Sequence, residues 1–241
     1  FDATTKDLGD IMIPSMQSID EDGCVRMIPN EELGIHLDGP IILMLDEIGK
    51  ANQAVKNAML RLIQERQIGS YSLHPDSVVF ATTNKGSEGV GDILPSHVRN
   101  RMIVVQIKKT YHMDWIEWGI NNGIDHSLLG WVKDNPHLMA SFEDIKDPSE
   151  NPYIFDPRAQ RAAFVTGRSL EAASDILKVR EGFDDITLTA ALMGTIGDRG
   201  AMDLMAFVSL SDQLPTLQSI KDSPLTAKVP DSAAAICMVV Y

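Results

Sequence analysis

The run Ile41-Ile42-Leu43-Met44-Leu45 leads without a break into Asp46-Glu47, and it restricts the fold more than any other part of the chain. Consecutive aliphatic residues that open on β-branched isoleucines read as a strand covered on both faces, the situation of a parallel strand between two helix layers. Asp46 and Glu47 then stand where that strand emerges. In open α/β sheets ligands bind outside the carboxyl ends of the strands, so two acids at that place form a candidate site. The competing use is structural, because Asp and Glu also stabilise the first turn of a following helix.

The residues after the acids continue the pattern. Val55, Met59, Leu62 and Ile63 recur at helical spacing between Asn52 and Glu65, with Lys56, Arg61 and Glu65 assigned to the opposite face. Gln67 to Asp76 reads as a hairpin, and Ser77-Val78-Val79-Phe80-Ala81-Thr82-Thr83 as a second buried strand that ends on Asn84. Strand, helix, hairpin and strand make a βαβ crossover, which is right-handed and parallel as a rule. It would bring Asp46, Glu47 and Asn84 to one sheet edge. Upstream, Asp20-Glu21-Asp22-Gly23 marks a short hairpin and Asn30-Glu31-Glu32-Leu33 a helix start. Downstream, Gly86 to Gly91 is a glycine-rich loop without the strand-to-helix setting of a phosphate cradle. Leu94 to Arg101 is expected as a short helix carrying Arg99 and Arg101, and Met102 to Ile107 as a third apolar strand.

Beyond Thr110 strand-like runs give way to helical periodicity at 113–121, 127–134, 169–180, 187–196 and 201–210. The fold expected is therefore α/β, a three-layer αβα core with a parallel sheet over residues 1–109, followed by a small, mainly helical domain over 110–241. The turn-rich stretch 146–152 is the least structured and is expected at the seam. Trp115, Trp118 and Trp131 read as core or interface packing.

The net charge of −13 argues against a surface that follows a nucleic-acid backbone along its whole length. Cys24 and Cys237 match no zinc or redox spacing and fit a reducing, cytoplasmic setting. No H-E-x-x-H or histidine pair at i, i+4 points to a metal site, and no apolar run is long enough for a membrane span. The chain begins at Phe1 and ends within an apolar segment, so it reads as a fragment.

Chemistry that fits these residues is phosphoryl transfer from a nucleotide. It needs a metal near the phosphates, a group that polarises the attacking water, a polar side chain that holds that water, and arginine to offset charge. Asp46 can orient Mg²⁺ through its water shell, Glu47 can polarise the water, Asn84 can hold it in line, and arginine on a neighbouring helix can complete the set.

At this point the chain resembles a family. Ile41 to Ala51 looks like the Walker B strand and turn of AAA+ ATPases of the MoxR and dynein-related type, and Val78 to Asn84 looks like the strand that ends on sensor 1, at Asn84. Leu94-Pro95-Ser96-His97-Val98-Arg99-Asn100-Arg101-Met102 is similar to the arginine-finger segment, with Arg101 as the finger and Arg99 assisting. Phe164-Val165-Thr166-Gly167-Arg168-Ser169-Leu170-Glu171 resembles the start of the lid helix, which assigns sensor 2 to Arg168. The resemblance implies a P-loop NTPase-type core with a helical lid, with ATP and Mg²⁺ as cofactors. It further implies a homo-oligomeric ring, expected as a hexamer, whose finger acts in trans, and a partner macromolecule that is remodelled, protein rather than nucleic acid. Two features depart from the family. No G-x-x-x-x-G-K-[ST] occurs in the 241 residues, and Gly167 stands where relatives usually have proline. A non-catalytic AAA+-like scaffold or regulatory module is the alternative, and a receiver-like switch with Asp46 as phosphoacceptor a third.

Overall fold

The computed structural model describes residues 1–17, 23–84, 99–100, 102–159, 161–215 and 217–230. They form a mixed α/β protein with a short parallel sheet and several helices. The chain divides into two units, Phe1–Gln106 and Ile107–Tyr241.

In the first unit, helix α1 (Leu8–Ile11) precedes β1 (Met12–Ser15), which pairs antiparallel with β2 (Arg26–Pro29). The centre is the parallel pair β3 (Ile42–Leu45) and β6 (Val78–Ala81), with Ile42 opposite Val78 and Leu45 opposite Ala81. Helix α2 (Gln53–Glu65) makes the crossover. It starts where Asn52 Oδ1 accepts the Val55 amide at 2.9 Å, and Asn52 Nδ2 also donates to the Lys6 carbonyl at 3.1 Å. The helix ends at Arg66, whose backbone turns left-handed at φ 59°. That turn is held: Arg66 Nη2 donates to the carbonyls of His74 (3.0 Å), Pro75 (3.1 Å) and Ser77 (2.6 Å). The hairpin β4 (Gln67–Ile68) and β5 (Tyr71–Ser72) is thereby fastened to the helix end and to the start of β6.

Three expectations for this unit are corrected. The strand at 41–45 was expected to be covered on both faces, but Leu43 and Leu45 are buried while Ile42 and Met44 are 78% and 41% exposed. Their register partners Val78 and Phe80 are exposed with them. Leu43 and Leu45 pack in one cluster with Val55, Met59 and Leu62 of α2, so the described residues supply a layer on one side of the sheet only. Lys56, assigned to the solvent face, is buried on the flank of α2. Residues 103–107 form no strand; Ile103, Val104, Val105 and Ile107 lie 66–94% exposed. A strand exists by pairing, and no described edge pairs with this segment.

The second unit is helical: α3 (His112–Asn121), α4 (His126–Asp134), α5 (Gly167–Lys178), α6 (Asp185–Ile196), α7 (Asp198–Ser211) and the short α8 (Leu217–Asp222). Asp125, Thr166 and Asp184 cap α4, α5 and α6 by accepting backbone amides, the usual satisfaction of orphan donors. One core gathers Trp115, Leu128, Trp131, Leu170, Leu177, Leu192 and Leu204. Trp118 differs from the other two tryptophans: 41% exposed, it stacks its ring 6.3 Å from that of Trp115. Between α6 and α7, Gly197 turns at φ 83°, and a Cβ there would meet the Ala163 carbonyl at 2.8 Å.

The stretch 146–152, expected at a domain seam, lies inside this unit. Asn151 Nδ2 donates to the His137 carbonyl at 2.8 Å, and Arg158 pairs with Asp147 at 2.6 Å. Local turn chemistry, with Asp147 capping the turn Pro148–Glu150, explains its composition without a boundary.

Candidate functional site

The parallel register sets the geometry of the candidate site. With Leu45 opposite Ala81, the next residues on each strand, Asp46 and Thr82, become neighbours. The Thr82 hydroxyl donates to Asp46 Oδ1, and Thr82 Oγ1 in turn accepts the Glu47 amide at 3.1 Å. Backbone bonds frame the exchange: Thr82 N to the Leu45 carbonyl at 2.9 Å and Ile48 N to the Thr82 carbonyl at 3.0 Å. On its other side Asp46 lies beside the segment at Asp2, its amide donating to the Phe1 carbonyl at 2.9 Å and its carbonyl accepting from Ala3 at 3.1 Å. Asp46 is thus fixed from both sides, with one carboxylate oxygen engaged by a neutral donor.

Glu47 takes a left-handed backbone, φ 50° and ψ 41°. For a residue with a side chain this costs on the order of 1 kcal/mol and is over-represented at functional sites. Arg66 shares the conformation but ends a helix, a position where it is common. Glu47 instead precedes a single 3₁₀ turn, Ile48–Lys50, and its side chain makes no cap hydrogen bond. The carboxylate pairs with Lys50 of that turn, both groups about one-third exposed. The capping use of these acids is therefore not what the structure displays: α2 is capped by Asn52, and Glu47 is held out of the cap by its ion pair.

Asn84 lies two residues beyond Thr82, half-buried, with no side-chain hydrogen bond among the described residues. Arg99 is exposed, its carbonyl accepting the Met102 amide at 3.2 Å, and among the described residues no hydrogen bond or ion pair joins it to Asp46, Glu47 or Asn84. Arg101 lies outside the described residues, as does the segment 94–98 expected as the start of its helix. Arg168 belongs to the second unit, in the first turn of α5, where it is exposed. It makes no ion pair with Glu171 among the described residues. The neighbouring glycine acquires a reason: a Cβ at Gly167 would stand 3.2 Å from Cδ1 and Nε1 of Trp115, which is buried. Any side chain there, proline included, crowds the indole.

Sequence reasoning missed Thr82 and Lys50. Thr82 was read only as strand, although a hydroxyl one step past the last paired residue is a signal for a group that ties two strand exits together. Lys50 sits at i+3 from Glu47, the spacing at which the two side chains pair.

A divalent cation that arrives with nucleotide phosphates needs one or two protein carboxylates, whereas a resident ion needs a fuller cage. Among the described residues no cluster of three or more His, Cys, Asp or Glu side chains could hold a metal. Asp46, with one carboxylate oxygen that accepts no hydrogen bond among the described residues, matches the first requirement. Two clefts are lined by residues of the second unit and include none of the candidate catalytic residues. No described helix is long and apolar enough to cross a membrane.

Comparison with protein-family models, with curated proteins and with solved structures returned no match in any of the three.

Proposed function

We propose that the chain is part of a MoxR-like AAA+ ATPase, which binds ATP with Mg²⁺ and couples its hydrolysis to remodelling of a partner protein. The observation that carries the reading is the pair of acids at the exit of β3, with Asp46 tethered by the exit of β6 and Glu47 in a left-handed backbone. Asp46 would hold Mg²⁺ through water and Glu47 would polarise the attacking water, released from Lys50 for the purpose. Asn84, on the strand that supplies Thr82, would hold that water in line. Arg101, assisted by Arg99, would act on the nucleotide of the next subunit of a ring, and Arg168 would follow the phosphates from the helical unit. The phosphate-binding loop is not among the 241 residues. The uncovered face of β3 and β6 is where a three-layer core would seat its second helix layer.

The test is made on the full-length protein. Glu47→Gln should retain ATP binding and lose hydrolysis by a factor of about 10² or more, the scale of removing a group that assists proton transfer. Hydrolysis at the parental rate would overturn the assignment. The scaffold reading has one observation in its favour, the Lys50 contact that occupies Glu47; it predicts no ATP hydrolysis by the full-length protein, with partner binding indifferent to Glu47→Gln.

A further inference from the structure

The second unit carries a cleft of about 750 Å³ lined in part by basic side chains. Lys108, Lys109, His112 and His137 line it, with Tyr111 and Asp144 as the other titratable groups on its walls. In a chain of net charge −13 this is a local excess of positive charge. Asp144 makes no ion pair with either lysine among the described residues. Lys109 is exposed as a residue, and its amine donates to the Ala140 carbonyl at 2.9 Å.

A carbonyl oxygen accepts a hydrogen bond from an amine in either protonation state, whereas a carboxylate would hold the amine as ammonium. Desolvation alone lowers the Lys109 amine to about 8. At pH 7 about one amine in ten is then free base, against fewer than one in a thousand for an ordinary lysine near 10.4. A desolvated lysine amine beside a cavity is the arrangement that makes lysine a nucleophile toward carbonyl carbon. The volume suits a small organic ligand, and Pro136 and Met139 give the cleft apolar wall.

We propose that this cleft binds a small anionic carbonyl compound, an aldehyde or oxoacid, as an imine on Lys109 Nζ, with Lys108 holding the anionic group. The amine lone pair attacks the carbonyl carbon and forms the C–N bond, while the carbonyl oxygen takes up a proton. The nitrogen loses one proton to give the carbinolamine, the hydroxyl takes up a proton from solvent and leaves as water, and the iminium nitrogen releases its remaining proton to solvent. One ligand and one amine give one imine and one water. No oxidant or reductant is consumed. The site is independent of the acids at β3 and of the function proposed for them.

Glyoxylate is the probe, trapped on the folded protein at pH 7 with cyanoborohydride and mapped by peptide mass. Lys109 should be alkylated at least about tenfold faster than Lys108 or any other lysine, and the preference should vanish in urea. Even labelling of the folded protein, or a preference that survives urea, overturns the proposal. Lys108→Gln should slow trapping of glyoxylate several-fold and leave that of uncharged acetaldehyde unchanged; equal effects on the two probes would overturn the anionic ligand class. Lys109→Arg, checked by circular dichroism, should abolish the fast label. The selectivity of the unmodified protein decides the matter even where a variant fails to fold.

Discussion

Thr82→Val is the change that most directly tests how the acids are held. It replaces the hydroxyl by a methyl of nearly the same volume and leaves the two backbone bonds of Thr82 intact. Two interactions go: donation to the Asp46 carboxylate, and acceptance from the Glu47 amide at 3.1 Å. A hydrogen bond to a charged group contributes roughly 1.5–3 kcal/mol and a neutral one roughly 0.5–1.5 kcal/mol. Both groups are half-buried, so the low end of each range applies. The strand preference of valine returns a few tenths of a kcal/mol. The expected net loss is about 2 kcal/mol, whereas Thr82→Ser, which keeps the oxygen, should lose less than about 1 kcal/mol. Choice of assay follows from the sequence. All three tryptophans, Trp115, Trp118 and Trp131, lie in the second unit, so no indole belongs to the unit that holds this site. Amide exchange followed by mass spectrometry on peptides spanning 41–52 reads it directly. A loss of about 2 kcal/mol speeds exchange at Glu47 and Ile48 by about 30-fold where exchange follows the opening equilibrium. If Val and Ser exchanged alike, the hydroxyl would not be what positions the acids.

Three further outcomes are expected. Gly167→Ala should destabilise in spite of alanine's helix preference of about 1 kcal/mol, because the methyl meets the Trp115 indole at 3.2 Å; in a Trp115→Phe background the same change should be neutral or stabilising, and equal effects in denaturant melts of the two backgrounds would refute the clash. Lys109 binds its proton less tightly folded than unfolded, so between about pH 8 and about 10.4 the unfolded chain holds more protons and stability rises with pH; relative to Lys109→Met the rise should be about 1 kcal/mol, discounted for the exposure of the residue, and a flat difference would contradict it. Lys50→Ala should change stability by less than about 1 kcal/mol, as a part-exposed ion pair does, and on the proposed reading should raise ATP turnover of the full-length protein, while lowered turnover would count against Lys50 as a restraint on Glu47.

Local chemistry was the legible part of this chain. The helix from Asn52 to Glu65 announced itself by an apolar stripe, and the βαβ order by two apolar runs around it. The parallel pairing of β3 with β6 follows from that connection. The helices of the second unit were legible for the same reason, since periodicity is encoded within a few residues. Less legible was anything that depends on a distant neighbour. Residues 103–107 have the composition of a strand, but composition states a capacity for pairing and not the presence of a partner. The turn-rich stretch 146–152 carries the letters of a linker, yet Asn151 and Asp147 spend those polar groups on His137 and Arg158, contacts that no local pattern reveals. At the site, the acids were visible as letters, whereas the Thr82 tether depends on register, which emerges only once two strands are aligned.

The uncovered sheet face connects these points. Parallel strands occur with both faces covered because their crossovers place helices there, and the composition of each strand reflects it. Ile42, Met44, Val78 and Phe80 have the side chains of a buried surface and project in register from one face of β3 and β6, while Leu43 and Leu45 occupy the other within the core. An ordinary solvent-facing strand would alternate apolar with polar, and these strands do not. The apolar run Ile103-Val104-Val105, equally exposed, carries the same signature. Both belong to the unit that holds the acids. On the proposed reading one further piece of structure satisfies all three requirements: a strand to pair, a helix to cover the face, and between them the loop that would bring phosphate to Asp46. A two-stranded parallel pair is marginal by itself, so such a piece would raise stability and complete the site in the same step. The reasoning has a direct check. In the full-length protein the amides of 42–45 and 78–81 should exchange at least about tenfold more slowly than in the 241-residue chain, and unchanged exchange would show that the face stays bare.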